Sequence, residues 1–301
     1  MQSLQNLYLK AIIYYLLLPL IYLISLLPFP VLYGFSNFVY FILYKVIGYR
    51  KEVVLQNLRN SFPEKTEDEI KTICDSFYSY LCDLFLETFK TLTISKAEML
   101  RRCKMNPGAT QLFNQLAAEN KSFIIVMGHY GNWEWAGNTC SLEGKHQLYV
   151  IYHPIKNKYF NDLMYKMRTT FGTKLIAMRD TFKAMLSLKD ELNVTAFIAD
   201  QTPSPDNAYW TTFLNQDTPV FWGTELIAKK IGYPVVFVSM HRIKRGYYEI
   251  FAEMLIENPK TTNTGEISEL HTRRLEKDIL AQPEIWLWSH RRWKHKKPET
   301  V

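Results

Sequence analysis

Apolar and polar positions divide this chain of 301 residues into two unlike parts. Residues 11–44 carry no charge, and residues 11–27 are dense in Leu, Ile and Tyr before the break Pro28-Phe29-Pro30. About 20 apolar residues cross a bilayer, so the pattern predicts one transmembrane helix, or a shorter span followed by an interfacial helix over residues 31–44. A buried helical hairpin is the alternative. A cleaved signal peptide fits less well, because the apolar run is long and Pro28-Phe29-Pro30 is no small-residue cleavage site. Lys45, Arg50 and Lys51 follow the run and only Lys10 precedes it, a bias that places the main body on the cytoplasmic side.

Beyond residue 45 the periodicity changes. Thr66-Glu67-Asp68-Glu69 reads as a capping box, and Ile70, Ile73, Phe77, Leu81, Leu84 and Phe85 recur at helical spacing, predicting a helix to about Leu92. Short apolar runs then alternate with helical segments. Strands are expected over 123–127, 148–152, 174–177, 194–199, 235–240 and 248–252, and helices over 110–118, 133–142, 157–170, 181–190 and 223–231. Alternation of this kind predicts an α/β fold. With no repeat or flexible linker visible, the expected organisation is an anchor over 1–45 and one globular domain over 46–301.

Composition narrows the partners. The chain is 48% hydrophobic with a formal net charge of +7, which suits an anionic membrane surface. Zinc-finger, RNA-recognition and helix-turn-helix signatures are missing, so nucleic acid is not the expected partner. Cys74, Cys82, Cys103 and Cys140 lack paired metal spacing and read as reduced buried thiols; there is no His-Glu-x-x-His either, and no metal is expected.

The most chemical stretch is Gly128-His129-Tyr130-Gly131-Asn132-Trp133-Glu134, directly after an apolar run. On one continuous helix His129 and Glu134 would lie about 140° apart, so the segment must bend for them to meet. Gly128 and Gly131 permit a strand-to-helix turn, with Asn132 as N-cap and Glu134 in the first helical turn. His129 then projects from a strand end as a candidate general base, oriented by Glu134. An ordinary turn histidine followed by a first-turn acid would read the same way. Asp200 ends the run 194–199 and would either enter a shared cleft or cap the next turn. Arg179 and Arg168 are candidate phosphate ligands or plain surface arginines. The tail from His290 to Lys297 interleaves Trp293 with cations, as at lipid headgroups, or is simply a solvated basic end.

Three blocks in register, namely 128–134, Asp200-Gln201 and the segment 283–293 (Pro-Glu-Ile-Trp-Leu-Trp-Ser-His-Arg-Arg-Trp), give this chain its resemblance to a known family. It resembles the late acyltransferases of lipid A biosynthesis, a branch of the glycerolipid acyltransferase superfamily, over nearly its full length, including Asn57-Leu58-Arg59-Asn60-Ser61-Phe62-Pro63. The resemblance implies a mixed sheet flanked by helices, a cytoplasmic face of a bacterial inner membrane, and no cofactor. It implies acyl transfer from acyl carrier protein or acyl-coenzyme A to a hydroxyl of a lipid A precursor. His129 would be the base and Glu134 its support, with Asn132, Arg168, Arg179, Asp200, Gln201 and Arg291 binding substrate. An amino-acid-containing or other bacterial lipid is the alternative acceptor, and a non-catalytic membrane-bound anion-binding protein the alternative class. One departure bears on the acceptor: Phe213-Leu214-Asn215 stands where the family has an apolar pair and glycine, at a loop expected to shape the cleft. Backbone amides of residues 131–133 are the candidate oxyanion donors.

Overall fold

The computed structural model describes residues 2–298, with side chains from residue 11; the Lys10 side chain of the orientation argument lies outside the described residues. Two helices open the chain, α1 (Gln2–Leu26) and α2 (Phe29–Tyr40), the latter running on as a π-helical turn Phe41–Val46. Pro28 precedes α2 and Pro30 occupies its first turn, where a missing N–H costs nothing. Among the described residues the helical stretch long and apolar enough to span a membrane is Phe29–Val46, while the apolar part of α1, Ala11–Leu26, is shorter. By length and composition the candidate stretch thus lies over the second half of the uncharged run, where an interfacial helix is the alternative expectation. Both helices also pack on the rest of the protein, α1 against α4 (Glu67–Lys90) and α8 (Lys158–Thr169), and α2 against α4. Lys90 donates to the carbonyls of Ser25 and Leu27 at 2.7 and 2.8 Å, closing the C-terminus of α1.

Between them, α3 (Lys51–Ser61) leads into α4, whose capping box forms as expected: Thr66 and Glu69 exchange backbone and side-chain bonds, the shortest 2.8 Å. α5 (Lys96–Arg102), β1 (Cys103–Met105) and α6 (Pro107–Ala118) complete the approach to the sheet. The remaining strands are β2 (Phe123–Met127), β3 (Gln147–Tyr152), β4 (Lys174–Ala177), β5 (Asn193–Ile198), a separate hairpin of β6 (Ala208–Phe213) and β7 (Gln216–Phe221), then β8 (Val235–Lys244) and β9 (Tyr247–Ile256). The helices among them are α7 (Trp133–Glu143), α8, α9 (Thr181–Ser187) and α10 (Gly223–Ile231), with α11 (Glu266–Ala281) after β9.

Seven strands form one sheet in the order β1-β9-β8-β2-β5-β3-β4, all neighbours parallel except β8 and β9. The fold is therefore the expected mixed α/β sheet. β2 lies at its centre and is buried on both faces, which explains its unbroken apolar run. Its alternation divides two cores. Phe123, Ile125 and Met127 join Phe113 and Leu116 of α6 and Trp135 of α7, whereas Ile124 and Val126 meet Met185 of α9, Ala228 of α10 and Ile267 of α11. A further core gathers α3, α4 and the hairpin around Trp286 and Trp288.

The hairpin resolves the departure at residues 213–215. Leu214 and Asn215 both adopt positive φ, 49° and 63°, in the two-residue turn, where asparagine tolerates the left-handed conformation that a glycine would supply. The Asn215 amide bonds the Ser61 carbonyl, so the tip packs on α3. The capping box is a direct test of α4 as scaffold: Thr66→Ala is expected to cost about 1 kcal/mol, read as a lower unfolding midpoint in detergent solution.

Candidate active site

Strand register builds the site. β2 and β5 run parallel with Met127 opposite Ile198, and Ala199 N–H bonds the Met127 carbonyl at 3.0 Å, so His129 and Asp200 emerge side by side from adjacent strand ends. Gly128 makes that possible by close approach. A Cβ there would sit 2.6 Å from Leu275 Cδ1 and 3.2 Å from Asp200 Oδ2. Gly131 is needed for its left-handed backbone, φ +62°, and a Cβ on it would stand 2.7 Å from the Met240 carbonyl oxygen. Its own carbonyl accepts from the Tyr80 hydroxyl at 2.5 Å, and its N–H donates to Ile285 O at 3.0 Å. Asn132 then caps α7, its Oδ1 accepting from Trp135 N–H at 3.0 Å.

The imidazole is oriented by Asp200. His129 Nδ1 lies 2.6 Å from Asp200 Oδ1, and the His129 backbone N–H donates to Oδ2 at 2.8 Å. Because a carboxylate accepts, the ring proton sits on Nδ1 and Nε2 is left as the basic nitrogen. Trp286 donates its indole N–H to the same Oδ2 at 2.8 Å. Burial alone would raise the Asp200 carboxyl, but the adjacent imidazole and these donors outweigh it and hold the group down at about 2. Trp133 meets the His129 ring edge-on at 5.0 Å.

Glu134, the expected partner of His129, is engaged elsewhere. Arg168 of α8 clamps its carboxylate with Nη2–Oε1 at 2.6 Å and Nε–Oε2 at 2.9 Å. The four intervening residues carry Glu134 around the turn and onto α7, away from the Nδ1 face that Asp200 occupies. Asp200 thus takes the orienting role assigned to Glu134, and Arg168 is a clamp on Glu134 before it is anything else. Both still line the same cavity as His129.

That cavity holds about 250 Å³ and is bounded on its polar side by His129, Glu134, Arg168 and Gln201. Gln201 Nε2 stands 3.4 Å from His129 Nε2. Across Ile151, Met178 and Ile198 it adjoins a second space of about 280 Å³, apolar, between β5, α9 and α10 and reaching Ile227. A cavity with one polar wall beside an apolar space is a geometry that suits a molecule with a polar head and a hydrocarbon tail.

Three other expected ligands do not reach this space. Asn132 is fully buried, its Nδ2 donating to Glu87 at 2.8 Å, so both ends of its amide are used inside the fold. Arg179 is 89% exposed and, among the described residues, pairs with Asp180 at 3.4 Å. Arg291 is exposed, whereas its neighbour Arg292 is buried beside Asp200 and His271. Two of the three expected oxyanion amides are also engaged, Gly131 with Ile285 and Trp133 with Gly131.

Sequence reasoning missed the polar duty of Trp286, and missed Arg292, His271 and His290. The signal for Trp286 was its place in the third block. Arg292 differed from Arg291 by one position, a difference only the backbone direction after Trp288 decides. His290 accepts from the Thr202 N–H at 3.3 Å, fastening that block to the residues after Asp200. Among the described residues no group of three or more His, Cys, Asp or Glu side chains is placed to hold a metal ion.

Residues 2–295 match the family model described as bacterial lipid A biosynthesis acyltransferase. Over 282 residues the chain is 21% identical to the lipid A biosynthesis palmitoleoyltransferase of Escherichia coli (strain K12), covering 89% of this chain and 86% of that protein. The same figures describe its similarity to the lipid A biosynthesis acyltransferase of Shigella flexneri.

The buried histidines around Asp200 make a pH prediction. Burial, with Arg292 adding to it, pushes both His271 and His290 down to about 4, against a smaller upward pull from Asp200. Between pH 4 and about 6.5 these two residues therefore bind more protons in the unfolded chain than in the folded one, and their contribution to stability falls as pH drops through that window. Chemical denaturation at stepped pH should show this slope, and replacing both residues by glutamine should flatten it.

Proposed function

As a member of the bacterial lipid A biosynthesis acyltransferase family the chain is an acyltransferase, and we propose that it moves a fatty acyl group from a thioester to a hydroxyl of a lipid A precursor. The observation that carries the mechanism is His129 with Nδ1 held by buried Asp200 and Nε2 left for the cavity. Nε2 removes the acceptor hydroxyl's proton as its oxygen attacks the thioester carbonyl. The imidazolium that forms is stabilised by the Asp200 carboxylate. Collapse of the tetrahedral intermediate breaks the carbon–sulfur bond, and the thiolate takes the proton from Nε2. No covalent acyl-enzyme is required. General-base assistance of this kind is worth about 10²–10⁴-fold; the rest comes from positioning and from donors near the developing oxyanion.

Glu134 and Arg168 supply the fixed polar wall. Their mutual clamp offers an acceptor for a hydroxyl of the lipid and a cation for an anionic group on it. The apolar slot reaching Ile227 takes the acyl chain. Leu16, Leu20, Val31, Phe38, Phe41 and Phe85 form an exposed apolar face on α1, the Phe29–Val46 stretch and α4, and lipid contact there would seat the protein on the inner membrane with the cavity at its cytoplasmic face. Acyl carrier protein or acyl-coenzyme A, both acidic, suits the surplus of basic groups.

Lipids from cells lacking the gene, complemented with wild type or with His129→Ala, test the reading by mass spectrometry. Restoration of one acyl chain on lipid A by wild type only is the expected result. A change in a different lipid would move the acceptor to an amino-acid-containing or other lipid, and full restoration by His129→Ala would favour the non-catalytic anion-binding class. In purified protein Asp200→Asn should lower kcat by about 10²–10⁴-fold, because an amide no longer selects the productive tautomer. Ile227→Trp should shift the product toward shorter chains, with discrimination of about 10–200-fold for each excluded methylene, measured as kcat/KM across a thioester length series.

A further inference from the structure

Helix α2 carries polar and apolar groups on both sides. Val31 and Phe38 face outward, while Ser36 is buried along with Phe29 and Leu32 and Tyr33 turns its hydroxyl inward. The inward groups meet two buried carboxylates of α4. Ser36 donates to Asp83 at 2.6 Å, and Tyr33 donates to Glu87 Oε1 at 2.8 Å. Asp83 is also held by Arg242 and, on both oxygens, by Arg245, which reaches Asn37 of α2 at 2.8 Å. Space around Tyr33 is tight. A Cβ on Gly246 would overlap its hydroxyl at 1.8 Å.

The opposite side of the same stripe holds the catalytic turn. Glu87 Oε2 accepts from Asn132 Nδ2 at 2.8 Å and from Tyr248 at 2.7 Å, and the Glu87 carbonyl accepts the Trp135 indole at 3.0 Å. About two turns of helix earlier, Tyr80 donates to the Gly131 carbonyl. Tyr80, Asp83 and Glu87 recur at three- and four-residue intervals, one face of α4. A single carboxylate therefore joins the helix with the outward apolar face to the residue that caps α7, three positions after His129.

We propose that Glu87 is a positioning residue that couples the seating of α2 in lipid to the geometry of the His129 turn, so that acyl transfer runs fastest on a membrane. The inference rests on the catalytic reading of His129 given above. Lipid contact with Val31 and Phe38 fixes α2, Tyr33 transmits that fixation to Glu87, and Glu87 fixes Asn132. Without a bilayer α2 loses its outward support and the turn samples geometries in which Nε2 is misplaced.

The test uses the purified full chain, a fatty acyl thioester, and total lipid from cells lacking the gene as source of acceptor, presented either in phospholipid vesicles or in detergent micelles. Thiol release gives kcat and KM. For wild type, kcat on vesicles should exceed that in micelles about tenfold. Tyr33→Phe should erase that advantage with KM for the thioester unchanged and the unfolding midpoint close to wild type. Ser36→Ala, acting through Asp83, serves as the second variant should Tyr33→Phe fold poorly. Glu87→Gln, which keeps an acceptor oxygen, should retain more activity than Glu87→Ala. Equal kcat on vesicles and micelles for wild type, or a vesicle advantage retained by both Tyr33→Phe and Ser36→Ala, would overturn the coupling. His129→Ala separates the two readings: thiol release surviving in that variant overturns the catalytic assignment, whereas an inert His129→Ala beside a vesicle advantage retained by both Tyr33→Phe and Ser36→Ala overturns the coupling alone.

Discussion

The buried carboxylate of Asp200 is the interaction on which the site depends. It accepts three N–H groups, from the His129 backbone, the His129 ring and the Trp286 indole. An ionised carboxylate taken out of water is costly unless its lone pairs are filled, and here they are filled by groups from two separate parts of the chain. The strand end of β5, the turn after β2 and the C-terminal segment are thereby held to one point. Orientation of the imidazole and closure of the C-terminal segment over the sheet are the same event. Trp286 stands edge-on to Trp288 at 4.6 Å, so the aromatic packing of that segment fixes the indole that in turn fixes the carboxylate.

A second constraint is the pair of carboxylates on α4. Asp83 and Glu87 are fully buried one helical turn apart, and they differ in their company. Asp83 has two guanidinium partners. Glu87 has only neutral donors, and burial, with the neighbouring charge of Asp83 added, pushes it up to about 7 in spite of the bonds from Tyr248, Tyr33 and Asn132. Apolar residues of equal volume would pack at lower desolvation cost. What they could not do is specify the relative placement of α2, α4, β9 and the turn into α7, since dispersion contacts have no direction and hydrogen bonds do.

Much of this was legible in the chain because it is local. The strands at 123–127 and 174–177, the helix at 223–231 and the capping box at Thr66 follow from periodicity and end chemistry within a dozen residues. So does the turn itself, with Asn132 as cap and Glu134 in the first turn of α7. The partner of His129 was not legible. It lies 71 residues away, and what brings it near is the parallel register of β2 with β5, which no local pattern encodes. α3, α5, the short edge strand β1 and the β6–β7 hairpin also went unread. α11 is a different case. Ile267, His271, Leu275 and Ile279 recur every four residues on its buried side, a readable stripe, but its N-cap is Gly265 at φ +86° with no capping side chain to announce the start.

The separation of Asp200 from Glu134 changes how the His-x4-Glu spacing is understood. Were Glu134 to orient the imidazole, the turn would have to fold back so that a first-turn helical carboxylate faced Nδ1. Instead the spacing places Glu134 on the first turn of α7, where the helix N-terminus favours an anion, and aims it at the cavity that also receives His129. Arg168 neutralises it there without removing it from the wall. Two carboxylates then divide two tasks that one could perform only poorly, since a group tied to Nδ1 has no lone pair directed at substrate. On the proposed mechanism Asp200, buried and saturated, keeps the base in one tautomer, while Glu134, at the cavity and braced by a guanidinium, meets the molecule whose proton that base takes. On that same reading the four residues between His129 and Glu134 set the distance from the proton acceptor to the wall that holds substrate, and with it the register in which an acceptor hydroxyl can stand over Nε2.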